Sequence, residues 1–174
     1  KTYNELKYPI DDYIKSWKET IYKYHKKKHY FYKKPFEILS NLDEDYTNIS
    51  VLNNGTFGFK DYNTNWHICS IDNLTLKIEK KHIKGSKKIT FSFLQDTKHA
   101  IYYPSVIEIL DTNYKLIKKL NPLVDKTDLA TKEMSINLPS KFDDEQLPDT
   151  FIVKISRSNV DGKNALACDE IIFN

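Results

Sequence analysis

The sequence predicts an all-β fold, an antiparallel β-sandwich preceded by one amphipathic α-helix. Three observations carry that expectation. From residue 74 onward, apolar residues alternate with polar ones over many short stretches, the period of a half-buried strand. No helical stretch separates those strands, so they pair antiparallel rather than through βαβ crossovers. Only the N-terminal segment steps by three and four residues instead.

The elements follow in order. Ile10, Ile14, Trp17, Ile21 and Tyr24 form one apolar stripe, predicting a helix from Pro9 to His29. Pro9 suits the first turn, and Asp11 and Asp12 suit the positive end of the helix dipole. Lys23, Lys26, Lys27 and Lys28 complement the other end. The helical segment is expected over 1–33 and the sandwich over 34–174. His25 and His29 stand four apart, but no third metal ligand accompanies them. After Lys34-Pro35 the period changes, and short strands are expected at Ile38-Leu39 and at Ile49 to Leu52. A turn-rich stretch from Asn53 to Trp66 holds Gly55 and Gly58. Strands then follow at Leu74 to Ile78, Ile89 to Phe93, Val106 to Leu110, and the Leu116 to Leu120 region beyond a turn at Asp111 to Asn113. The last ones are Met134 to Leu138, Phe151 to Ile155 and Ile171 to Phe173.

Composition narrows the function classes. The chain has 174 residues, enough for a core without disulfide staples. The net charge of +3 is small, and Arg157 is the only arginine. Bidentate recognition of phosphate and guanine recruits arginine, so a nucleic-acid partner is not expected. No apolar run reaches the length of a membrane span. Twelve tyrosines suit either a sandwich core or a sugar- or protein-binding surface. Cys69 and Cys168 lie outside any zinc spacing and are read either as two buried free thiols or as one bridge.

Several segments carry a resemblance. Val51-Leu52-Asn53-Asn54-Gly55-Thr56-Phe57-Gly58, followed by Asp61-Tyr62-Asn63-Thr64-Asn65-Trp66, resembles the opening of discoidin-like domains. These are the galactose-binding-like, or coagulation-factor type C, jelly rolls. Phe91-Ser92-Phe93-Leu94-Gln95-Asp96 with Ile101-Tyr102-Tyr103-Pro104-Ser105-Val106 is similar to their core. Asp169-Glu170-Ile171-Ile172-Phe173 resembles their last strand. The version most similar is the module found C-terminal to catalytic barrels in bacterial β-hexosaminidase-like enzymes. The resemblance implies a non-catalytic accessory module of a secreted, periplasmic or cell-surface glycan-processing protein. Its partner would be a glycan, or a neighbouring catalytic domain that it buttresses. The start at Lys1 rather than Met fits a larger parent or a removed leader.

The resemblance also assigns sites. A structural calcium would take Asn54, Thr64 and Glu170 with loop carbonyls. Without the ion, Glu170 would cap the loop by accepting backbone N–H bonds, and Asn54 would hold the turn. The same geometry brings Cys69 near Cys168 and motivates a disulfide. Sugar contacts are expected from Tyr46, Tyr62, Asn63, Trp66, His67 and His99, with Phe57 and Asn65 nearby. Trp66 is weighted toward the core, and Tyr62 and Tyr46 toward the surface. The chain departs from the family pattern at His99 to Ile101, where Trp is usual, and at Asn54, where Asp is usual.

The sequence contains no Gly-x-Ser-x-Gly, no His-Glu-x-x-His and no phosphate loop. The acidic runs Asp43-Glu44-Asp45 and Asp143-Asp144-Glu145 are expected to be solvated turns. Adjacent residues of one loop do not flank a sugar as a glycosidase pair must.

Overall fold

The computed structural model describes residues 29–159 and 164–174. Its strands are β1 (Glu37–Ile38), β2 (His67–Cys69), β3 (Leu74–Glu79), β4 (Lys88–Asp96), β5 (Val106–Leu110), β6 (Leu116–Leu120), β7 (Leu129–Asn137), β8 (Thr150–Ser156) and β9 (Leu166–Phe173). They form two sheets, ordered β1-β3-β8-β5-β6 and β2-β9-β4-β7. Every pairing within them is antiparallel. The result is a two-sheet jelly-roll sandwich.

The expected helix is corrected where it can be seen. Residues 29–33 form a turn, and no α-helix occurs among the described residues. The Tyr30 N–H donates to the Phe173 carbonyl at 3.0 Å. Lys33 takes φ of 53°, which ends any helical path there. Phe31 is fully buried in the sandwich core, against Phe36 and Phe173. Burial of that ring and pairing with the last strand hold the segment flat on the sandwich. The rest of the expected helix, residues 9–28, lies outside the described residues. Among these no helix is long and apolar enough to cross a membrane.

A second correction concerns Ile49–Leu52, which is a 3-10 turn rather than a strand. Asn48 caps it by accepting from the Ser50 N–H at 3.2 Å. Leu52 alone of its residues is buried. The short apolar run fitted either element, because four residues cannot separate the two periods.

The inward faces meet in one core. Ile89, Phe91 and Phe93 of β4 pack there with Leu74, Leu76 and Ile78 of β3 and Phe151, Val153 and Ile155 of β8. A smaller cluster covers the outer side of the four-stranded sheet: Trp66, Ile68, Leu94, Ile101 and Ala167, with Tyr46 and Tyr62 packed on it.

One irregularity positions the site. Phe93 pairs with Cys168 and Phe91 pairs with Ile171, so Asp169 and Glu170 together stand opposite Ser92. This is a β-bulge, two residues against one. It puts two consecutive acids into a strand that is buried along its whole length.

Candidate functional site

The loop from Asn53 to Trp66 runs beside this bulge, and the two acids fasten its inner half. The Gly55 N–H donates to both carboxylate oxygens of Glu170 at 3.0 Å. The Gly58 N–H donates to Asp169 Oδ2. Gly55 has φ of 79°, a region that favours glycine. Gly58 lies flat under the Trp66 indole, where any Cβ would overlap the ring. Trp66 in turn donates its Nε1–H to the Phe59 carbonyl at 2.6 Å. His29 completes the arrangement from the N-terminal side. Its Nδ1 accepts from the Phe173 N–H at 3.4 Å, which puts the proton on Nε2, 2.8 Å from Glu170 Oε1.

Both acids are fully buried. Burial pushes the Asp169 carboxyl up to about 7, against the opposing pull of hydrogen bonds from Gly58, Ser92 and the Glu170 N–H. Burial also raises Glu170, while His29 and the Gly55 and Thr56 N–H groups hold it down. These carboxylates therefore serve the loop backbone.

The residues that the resemblance assigned to calcium are committed in the same way. Asn54 Oδ1 accepts from the Thr56 N–H at 2.9 Å. The Thr64 hydroxyl turns to Asp61 Oδ2 at 3.4 Å. Glu170 faces N–H donors and an imidazole, whereas calcium needs converging oxygens. Among the described residues no group of three or more His, Cys, Asp or Glu is arranged to hold a metal ion. The donor set does not fit calcium.

The outer half of the loop carries Tyr62 to the surface. Its ring lies against the ring of His99, with centroids 4.6 Å apart and planes at 48°. His99 ends the 3-10 turn Thr97–His99 after β4. Its Nδ1 sits 2.6 Å from Asp96 Oδ2. The turn is closed by paired bonds between Asp96 and Ile101, at 2.9 and 3.0 Å, so His99 has a fixed base. Tyr46 packs on the same outer cluster, within electrostatic reach of Tyr62. Burial first, then Tyr62, Asp45 and Asp43, raise its phenol, which stays neutral and able to donate. Tyr46, Tyr62 and His99 thus group into a partly exposed aromatic platform, with the buried Asp96 beneath His99.

The other expected contacts lie elsewhere. Asn63 is exposed, and its N–H closes an Asx turn on Asp61 at 3.0 Å. Trp66 is 4% exposed and is a core residue under the loop. His67 is 1% exposed and stands opposite Cys168, on the side facing the core. Neither of its ring nitrogens has a partner among the described residues. Burial lowers its pKa, with Asp43 opposing, so the ring is neutral. Cys69 and Cys168 are both buried and unbridged.

Sequence reasoning did not single out Asp96 or Asp169. Asp96 stands three residues before His99, and Asp169 immediately before Glu170, so both spacings were readable. The two acidic runs are structural. Asp43 accepts from the Ser70 and Ile71 N–H groups, and Asp143 from the Ser140 N–H. Glu145 pairs with Lys115 at 2.8 Å.

No protein-family model matches the chain, and no curated protein does. Solved structures do. A fucose binding module from Streptococcus pneumoniae superposes with a TM-score of 0.54 at 12% identity, covering 85% of this chain and 98% of its own. The lectin domain of Lectinolysin, solved with Lewis B antigen, gives a TM-score of 0.51 at 9% identity, covering 86% and 97%. The chain shares the β-sandwich fold of these two domains. At such identities the likeness is one of fold, and side-chain chemistry must be argued from this chain alone.

Proposed function

We propose that the chain is a non-catalytic carbohydrate-binding module whose site is the platform of Tyr46, Tyr62 and His99. The observation that carries this reading is the Tyr62–His99 ring pair, half-open to solvent and braced by Asp96. Such faces stack on the C–H surface of a pyranose, while adjacent polar atoms fix its hydroxyls. The Tyr46 phenol donates, while the buried Asp96 holds His99 in place. The solved structures similar in fold are a fucose binding module and a lectin domain, which supports a glycan as partner. The finer reading is an accessory module of discoidin type in a larger secreted glycan-processing protein; it draws its support from the sequence segments quoted above.

A glycan array with the wild-type chain and Tyr62→Ala tests the proposal. Binding by the wild type should fall at least tenfold in the variant, the loss of one stacking anchor. A blank array with the wild type, or binding that Tyr62→Ala leaves intact, overturns it. A blank array would favour the buttressing reading, for which Leu123 and Val124, exposed at 83% and 91%, offer an apolar contact.

A further inference from the structure

A cavity of about 300 Å³ lies at the end of the sandwich opposite the platform. Strand β4 separates the two, running from Lys88 near the cavity to Asp96 at the platform. Its length is about 27 Å at the usual rise per residue. The walls come from the 3-10 turn Lys80–Ile83, the turn at Lys84 to Ser86, and the connection from Leu138 to Asp149.

The chemistry of the walls is divided. Ile83, Leu138 and Leu147 are buried and give an apolar floor. Lys80 Nζ donates to the Leu147 carbonyl at 3.2 Å, which fixes that cation on the wall. Lys81 is taken by Glu79 at 3.2 Å. Lys84 lines the cavity with no acceptor among the described residues. Gln146 spends both amide hydrogens on the Ser140 and Asp143 carbonyls, at 2.7 and 2.8 Å. That orients the amide and leaves its Oε1 as an acceptor. Asp149 adds a carboxylate to the lining.

We infer that this cavity binds a sugar ring carrying a carboxylate, a uronic-acid type of monosaccharide, at a site separate from the platform. Lys84 and Lys80 meet the carboxylate with charge-assisted hydrogen bonds. Gln146 Oε1 and Asp149 accept from ring hydroxyls. The apolar floor takes the C–H face of the ring. A neutral sugar leaves Lys84 unanswered, and a small inorganic anion uses neither the floor nor the two acceptors. The volume sits at the lower bound for ligand pockets, which suits one ring rather than a chain. The inference does not rest on the platform.

The test is amide-resolved NMR titration of the full chain with glucuronate, glucose and acetate. Glucuronate should shift the amides of 80–86 and 138–149, weaken in high salt, and bind about tenfold more weakly to a Lys80→Ala/Lys84→Ala variant, as loss of charged hydrogen bonds implies. Both lysines are exposed, so the variant keeps its spectrum. Tyr62→Ala should leave this binding unchanged, which separates the two sites. Equal response to glucose would make the cavity a neutral cleft and overturn the inference. Equal response to acetate would reduce it to a lysine counterion site and also overturn it. Shifts confined to the Tyr62 and His99 region, or no shifts, would do the same.

Discussion

The two halves of the loop between Asn53 and Trp66 are built on opposite terms. The inner half is held by buried charge. Gly55 and Gly58 hand their N–H groups to Glu170 and Asp169, and His29 closes the set. The outer half is held by local turn chemistry, with Asp61 bonding Asn63 and Thr64, and it leaves the Tyr62 ring at the surface. The first half spends its polar atoms on the backbone and keeps none for a ligand. The second keeps the partly exposed Tyr62 ring beside the exposed His99, which the buried Asp96 braces from beneath. A polar residue in a binding-family motif is therefore weak evidence for ligand contact until its hydrogen bonds are counted.

The strongest way to break this contrast is to remove an acid from the inner half. Glu170→Ala leaves the buried Gly55 N–H and the His29 ring without their acceptor. The expected loss is about 3 kcal/mol or more, read by chemical denaturation. Gly58→Ala drives a methyl into the Trp66 indole and should cost about 1–3 kcal/mol. Tyr62→Ala on the outer half should change stability by less than about 1 kcal/mol while it removes glycan binding. Equal destabilisation by Tyr62→Ala and Glu170→Ala would mean that the halves are not distinct.

Proton titration sharpens the same comparison, because two buried groups respond in opposite senses. Burial lowers His67, so the unfolded chain takes its proton first. The stability His67 contributes is present above about pH 6.5, its unfolded value, and is lost as pH falls through the lower folded one. A His67→Leu variant should therefore gain on the wild type steadily below about pH 6.5. Asp169 is raised from 3.8 to about 7. Its contribution is full below about pH 4 and is lost as pH rises through about 7. The wild type should therefore gain on Asp169→Asn as pH falls through that window. Denaturant midpoints of the three proteins across pH read both slopes, and parallel curves would remove titration from the account.

The strands were legible where the pattern was long. Ile89, Phe91 and Phe93 alternate, and they sit inward as expected. The bulge was not legible, since it depends on register between Phe91–Phe93 and Cys168–Ile171, far apart in sequence. What the sequence did show there was two acids in a run of apolar residues, a mark of special pairing. The short strand β2 was not legible from periodicity, because Trp66, His67, Ile68 and Cys69 are all buried and show no alternation. On the site, Trp66, weighted toward the core, is 4% exposed, whereas Tyr62 and Tyr46, weighted toward the surface, lie partly buried on the outer cluster. His67 was not read as a core residue, because a polar ring facing apolar neighbours contradicts its own chemistry and only the fold reveals it.

The smallest effects are expected at the ion and the thiols. With Glu170 and Asn54 bonded to the loop backbone, calcium and chelator should leave the melting temperature unchanged. A rise with calcium would mean that the latch opens to admit an ion. The cysteines stand on neighbouring strands, but register pairs Cys69 with Leu166 and His67 with Cys168. Diagonal neighbours of this kind have Cα atoms about 7–8 Å apart, wider than a disulfide usually spans. Burial pushes the Cys69 thiol up to about 12 and Cys168 well above its ordinary range, so neither presents a thiolate at neutral pH. Iodoacetamide should leave the folded chain unmodified and add to both cysteines once it is unfolded without reductant. Failure to alkylate until reductant is added would show a bridge, and would require β2 to slip toward β9 from the register that now places His67 in the core.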